Sequence, residues 1–136
     1  MMLTCIGLLS GTIFGLFLKL IEQMTNKKVY TLLLNIDYIP LLKELNLTEG
    51  SEFGLHLIVS VFVTYILFYG LKNAQRQHQI KYYVVLNIMI AMMLYGTTVL
   101  SERTPNLFDL EAQLYWFLGH ILFGTIQGWL ITKTNL

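Results

Sequence analysis

Four stretches of this chain stay apolar for about 20 residues each, and that leaves the backbone one reasonable conformation. The hydrocarbon core of a bilayer is ~30 Å thick and a helix rises ~1.5 Å per residue, so each run is long enough to cross. The runs are 2–24, 53–71, 82–100 and 114–132. Backbone N–H and C=O groups cannot stay unpaired in lipid, and no run alternates with a period of two. Each is therefore a helix and not a barrel strand. The chain reads as an all-α integral membrane protein with four transmembrane helices in a single transmembrane domain, 1–136. With 55% hydrophobic and 12% charged residues and a mean hydropathy of +0.60, it is too apolar for an ordinary soluble domain.

The first run carries Lys19 and Glu22 just where it ends. It lacks a basic leading region and a small-residue cleavage site, so it reads as a retained helix and not a cleaved signal. Cys5 alone permits no intramolecular disulfide. The 25–52 connection is apolar at 29–34 and 39–42 but is broken by Asn35, Asp37 and Pro40, leaving pieces too short to span. It reads as a re-entrant or interfacial helical segment over one end of the bundle. Tyr82, Tyr83, Tyr115, Trp116 and Trp129 fall near the ends of the runs, where amphipathic rings sit at an interface.

Charge placement sets the orientation. Lys and Arg counts tie between the two sides, but Lys72, Arg76 and Lys81 crowd into one link. Apart from Glu22, every acid lies on the opposite side. The reading is both termini cytoplasmic, in a multi-pass membrane protein.

On a helical wheel each run has one small or polar face. Gly7, Gly11, Gly15 and Lys19 advance by four in the first helix, with Glu22 inside their arc; His56, Ser60 and Thr64 line the second. Asn87, Ala91, Tyr95 and Thr98 line the third, and His120, Gly124, Gln127 and Gly128 the fourth. Such faces line bundle interiors in lipid, where small residues let backbones approach. The glycines serve close helix packing or a homodimer or membrane-partner face. Asn87 and Gln127 lie at matching depth and are expected to bond across helices. His56 lies about 5 Å and His120 about 9 Å from the outer helix ends, in the same leaflet as Lys19 and Glu22. These four form a candidate outer-leaflet polar cluster, while snorkelling of Lys19 and a surface Lys19–Glu22 pair are the plainer alternatives.

The spacings Gly7-x-x-Ser-Gly11-x-x-x-Gly15-x-x-x-Lys19-x-x-Glu22, Gly54-x-His56 and Leu118-Gly-His120-x-x-x-Gly124-x-x-x-Gly128 resemble the small bacterial inner-membrane proteins of the YagU and YqhR type. The resemblance implies a four-helix membrane architecture and no reaction. A proline- and arginine-rich stretch often follows the first helix in that family, whereas Asn26-Lys-Lys-Val-Tyr30 stands here.

Three functions fit these residues. The preferred one is a non-enzymatic membrane protein whose polar cluster binds or conducts a proton or small ion, because histidine changes charge near neutral pH. The second is a structural or accessory subunit packing through its Gly-xxx-Gly face. The third is a metal-dependent membrane enzyme with Glu22, His56 and His120 as ligands, for which no nucleophile or zinc motif stands beside the histidines. The expected partner is the lipid bilayer. No cofactor and no nucleic acid are expected, since the chain has no phosphate loop and no basic aromatic platform.

Overall fold

The computed structural model describes residues 1–36 and 47–134. It contains α1 (Met2–Thr25), a short α2 (Val29–Leu34), α3 (Glu49–Asn73), α4 (Ile80–Tyr95) continued by a 3-10 turn (Gly96–Leu100), and α5 (Leu110–Lys133). Among the described residues, four helices are long and apolar enough to cross a membrane: α1, α3, α4 with its 3-10 extension, and α5. The chain is an all-α, four-helix, polytopic membrane protein. α2 occupies the connection read as an interfacial segment; the 39–42 half of that reading lies outside the described residues.

The helices begin and end on local signals. Thr48 caps α3 by accepting a hydrogen bond from Ser51 N–H, with Glu49 and Glu52 in the first turn where the helix dipole favours acids. Asp109 caps α5 by accepting from Ala112 N–H. α1 stops at Asn26, whose backbone turns left-handed (φ 58°) and returns its N–H to Glu22 O. These polar caps start α3 and α5 four residues earlier than hydrophobicity alone suggests.

The helices are not equivalent neighbours. α4 and α5 pack most extensively, α1 packs on both α3 and α5, and α3 barely touches α4. The glycines create these contacts. A Cβ on Gly7 would lie 2.7 Å from Val61 Cα, one on Gly11 2.5 Å from Ser60 Oγ, and one on Gly15 2.5 Å from the Phe53 ring. On α5, a Cβ at Gly124 would lie 2.8 Å from Tyr83 O and one at Gly128 3.0 Å from the Tyr83 ring. The glycine faces thus serve the close helix packing read from the sequence, against this chain's own α3 and α4.

Two apolar clusters hold the bundle. One lies towards α2 and includes Phe14, Leu18, Leu32, Tyr95, Trp116 and Phe123; the other lies towards the termini and includes Leu3, Ile6, Leu67, Phe68, Tyr83 and Ile131. Between them runs a buried polar belt. Asn87 Nδ2 donates to Gln127 Oε1 at 3.1 Å, Gln127 Nε2 donates to Thr64 Oγ1 at 2.8 Å, and Thr64 donates to Ser60 O at 2.8 Å. The expected Asn87–Gln127 bond is present, and Thr64 joins it. Met89, Met92 and Met93 face outward.

Two aromatics correct the interfacial reading. Trp116 and Tyr83 lie near helix ends but point into the bundle and are buried. Trp116 Nε1 donates to Ala91 O at 3.0 Å, and Tyr83 hydroxyl to Gln77 O at 3.0 Å. Each side chain satisfies its polar atom inside, so neither needs the headgroup region.

At the α2 end, Lys27 ties the end of α1 to the start of α5. Its Nζ lies 3.0 Å from both Asp109 oxygens and 3.0 Å from Glu111 Oε2. The hydrogen bond to Asp109 and then that to Glu111 raise Lys27 above its ordinary value; the Lys27 hydrogen bond and the Ala112 N–H hold Asp109 below 3.8. A depressed carboxyl contributes stability that is complete above pH 3.8 and lost as pH falls through the folded value. Thermal stability in detergent should therefore be independent of pH near neutrality, where the tie contributes in full, and fall below about pH 4. Asp109→Asn should flatten that acid limb while costing less than Asp109→Ala, which also removes the cap, worth about 1 kcal/mol.

Candidate functional site

The four residues proposed as one cluster occupy two adjoining places. Lys19 Nζ donates to Glu49 Oε1 at 2.6 Å, in a pair with 39% and 60% side-chain exposure. This is the snorkelling arrangement, and an exposed pair of this sort stabilises little. Glu22 bonds neither Lys19 nor a histidine. Its carboxylate accepts from Thr31 N–H at 2.8 Å and from Thr31 Oγ1 at 2.7 Å, fixing the first turn of α2. Glu22→Ala should release α2 from α1 at a cost of about 1–2 kcal/mol, and faster amide exchange over 29–34 would register it.

Lys19, Glu22, Tyr30, Glu49, Glu52 and Arg103 line a polar vestibule of about 590 Å³ at the α2 end. Burial and the hydrogen bond to Glu49 push the Tyr30 phenol up to about 12, so it stays a donor. Glu52 is the deepest acid in this vestibule, 9% exposed, with Arg103 Nη2 3.5 Å from its Oε1.

His56 and His120 lie deeper, around Phe14. The Phe14 ring is 5.8 Å from the His56 ring and 4.7 Å from that of His120, centroid to centroid. Nε2 of His56 is 3.0 Å from Gly11 O, and Nδ1 of His120 is 3.0 Å from Trp116 O. A carbonyl only accepts, so both ring nitrogens carry hydrogen and donate. In the neutral rings the opposite nitrogens, Nδ1 of His56 and Nε2 of His120, keep a free lone pair. Both histidines line a second cavity of about 230 Å³, mostly apolar, between α3 and α4 beneath α2. Glu52 lines both cavities.

The sequence reading left Glu52 outside the cluster, although it stands four residues before His56 and so continues the His56, Ser60, Thr64 stripe. Arg103 and Tyr30 carried no such signal, because they reach the vestibule from connecting segments. The three-ligand metal reading also changes. Glu22 is committed to Thr31, and among the described residues no group of three His, Cys, Asp or Glu is placed to hold a metal ion. No family model, curated protein or solved structure matches the chain.

Proposed function

We propose that this membrane protein is non-enzymatic and takes up a proton or small cation through the vestibule, holding it at the His56–His120 pair. The observation that carries the reading is Glu52, a nearly buried carboxylate lining both the vestibule and the histidine cavity. An ionisable group at this depth is costly and marks a pathway more often than packing does. Below the histidines the bundle is closed by Thr64, Gln127 and Asn87, all buried and mutually bonded. That closure favours binding over free conduction.

The orientation belongs to the same proposal. The vestibule faces outward, the termini are cytoplasmic, and the membrane is a bacterial inner membrane. In support, the 72–81 link holds Lys72 against the Phe68 ring and stacks Arg76 and Lys81 on Tyr82, an interfacial arrangement at the positive side. Kinship with the YagU and YqhR type is also part of the proposal. It rests on the glycine and histidine spacings and adds no chemistry.

Trp116 provides the test, because its ring lies 4.5 Å from that of His120. With Trp129→Phe as background, Trp116 is the remaining tryptophan. Its emission should fall in an acid titration as His120 becomes an imidazolium, and His120→Gln should abolish the fall. A titration unchanged by His120→Gln removes the histidine site. Vesicles holding a pH dye then separate binding from passage: Glu52→Gln should slow any proton uptake, and uptake equal to that of the unsubstituted protein would exclude the vestibule as the route.

A further inference from the structure

The cavity between α3 and α4 has properties that a proton site does not require. The two helices that frame it barely touch, and their flanking residues Val59, Ile58 and Met93 are exposed on the faces a bilayer covers. The cavity therefore opens sideways towards hydrocarbon as well as upward beneath α2. Its wall is apolar, built from residues such as Phe14, Val63, Ile90 and Phe123, yet its lining residues carry three hydrogen-bond acceptors without donors. Two are the free ring nitrogens of neutral His56 and His120. The third, Asn87 Oδ1, has no hydrogen-bond partner among the described residues but is fully buried, behind the cavity wall.

A buried acceptor left unpaired is costly, and in lipid no bulk water compensates it. The free nitrogens of the two histidines call for a donor. A charged headgroup is a poor match, since Glu52 at the upper rim is already paired with Arg103. At about 230 Å³ the cavity is below the ~300–1,000 Å³ typical of sites for drug-sized ligands, so it suits one ring or one chain segment with the rest in the bilayer.

We infer that the α3–α4 cleft is a lateral binding site for an uncharged membrane amphiphile bearing a hydroxyl donor, a phenol or alcohol on a single apolar chain. The hydroxyl enters between the helices and donates to a ring nitrogen, while the chain leaves past Val59 into the leaflet. This site works with neutral histidines, so it stands even if the rings take up no proton.

The test uses the full chain in nanodiscs of phosphatidylethanolamine and phosphatidylglycerol at neutral pH. The probes are a long-chain alkylphenol with a diazirine on its chain and the methyl ether of the same molecule. The phenol should label 58–63 and 90–97 in preference to the outward faces of α1 and α5. The ether, lacking the donor, should label the cleft about tenfold less, the loss expected for one hydrogen bond to a buried acceptor. Val59→Trp stands at the exposed mouth, where it leaves the core untouched, and should reduce phenol labelling to the level of the ether. Equal labelling by phenol and ether would overturn the donor requirement and leave a bilayer chain or water as occupant. Labelling spread evenly over the lipid-facing helices, or unchanged by Val59→Trp, would overturn the site.

Discussion

Gly124→Leu is expected to stop α4 from docking on α5 and to leave most of the protein unfolded in detergent. The Cβ position at Gly124 lies 2.8 Å from Tyr83 O and 2.9 Å from Val84 Cα. Both are backbone atoms, so no side-chain rotation relieves the clash. Even alanine should cost about 1–3 kcal/mol, and leucine should exceed that range because α4 must move bodily away. The same movement pulls Asn87 from Gln127, since Asn87 Nδ2 lies 3.1 Å from the Cβ position. Gly70 provides the contrast: nothing lies within 4 Å of its Cβ position, so Gly70→Ala should hold or raise stability by up to about 1 kcal/mol. Denaturant titration of the two variants beside the unsubstituted protein reads the difference. A Gly124→Leu protein as stable as Gly70→Ala would contradict the α4–α5 packing. If Gly11→Leu behaves like Gly124→Leu with no change of oligomeric state, the glycine stripes act within one chain.

The four spans are legible in the sequence because lipid demands uniform apolarity over a fixed length, and 2–24 or 114–132 can satisfy that in one way only. The inward faces are legible too, since small and polar residues recur by four. Trp116 and Tyr83 were within reach of the same rule. Each stands four residues before a stripe residue, His120 and Asn87, so the wheel places both inside, whereas depth alone assigns them to the interface. The neighbour order is not legible. Four helices with one polar face each can be arranged in several ways, and nothing local dictates that α3 and α4 stand apart. The partners of Lys19 and Glu22 are hidden for a related reason: they come from α3's first turn and from α2, and both depend on how the chain returns over the bundle.

Trp116→Ala should be the most costly single truncation in the core. Trp116 is 1% exposed and packs against Phe14, Tyr95 and His120. Removing such a side chain from a soluble core costs about 3–5 kcal/mol, part of it transfer of the ring to water. In a bilayer the unpacked helices remain in an apolar solvent, so the transfer part is small and the cost comes from the cavity and the lost contacts. A value near the lower end, about 3 kcal/mol, is therefore expected. Trp116→Phe keeps most of the ring and loses the N–H that reaches Ala91 O, which should cost only about 1 kcal/mol. His120 donates to the backbone carbonyl of Trp116, so neither substitution alters its tautomer. If the two variants lose equal stability, the hydrogen bond to α4 outweighs the packing, and α5 is held to α4 at this depth by its polar contact rather than by ring volume.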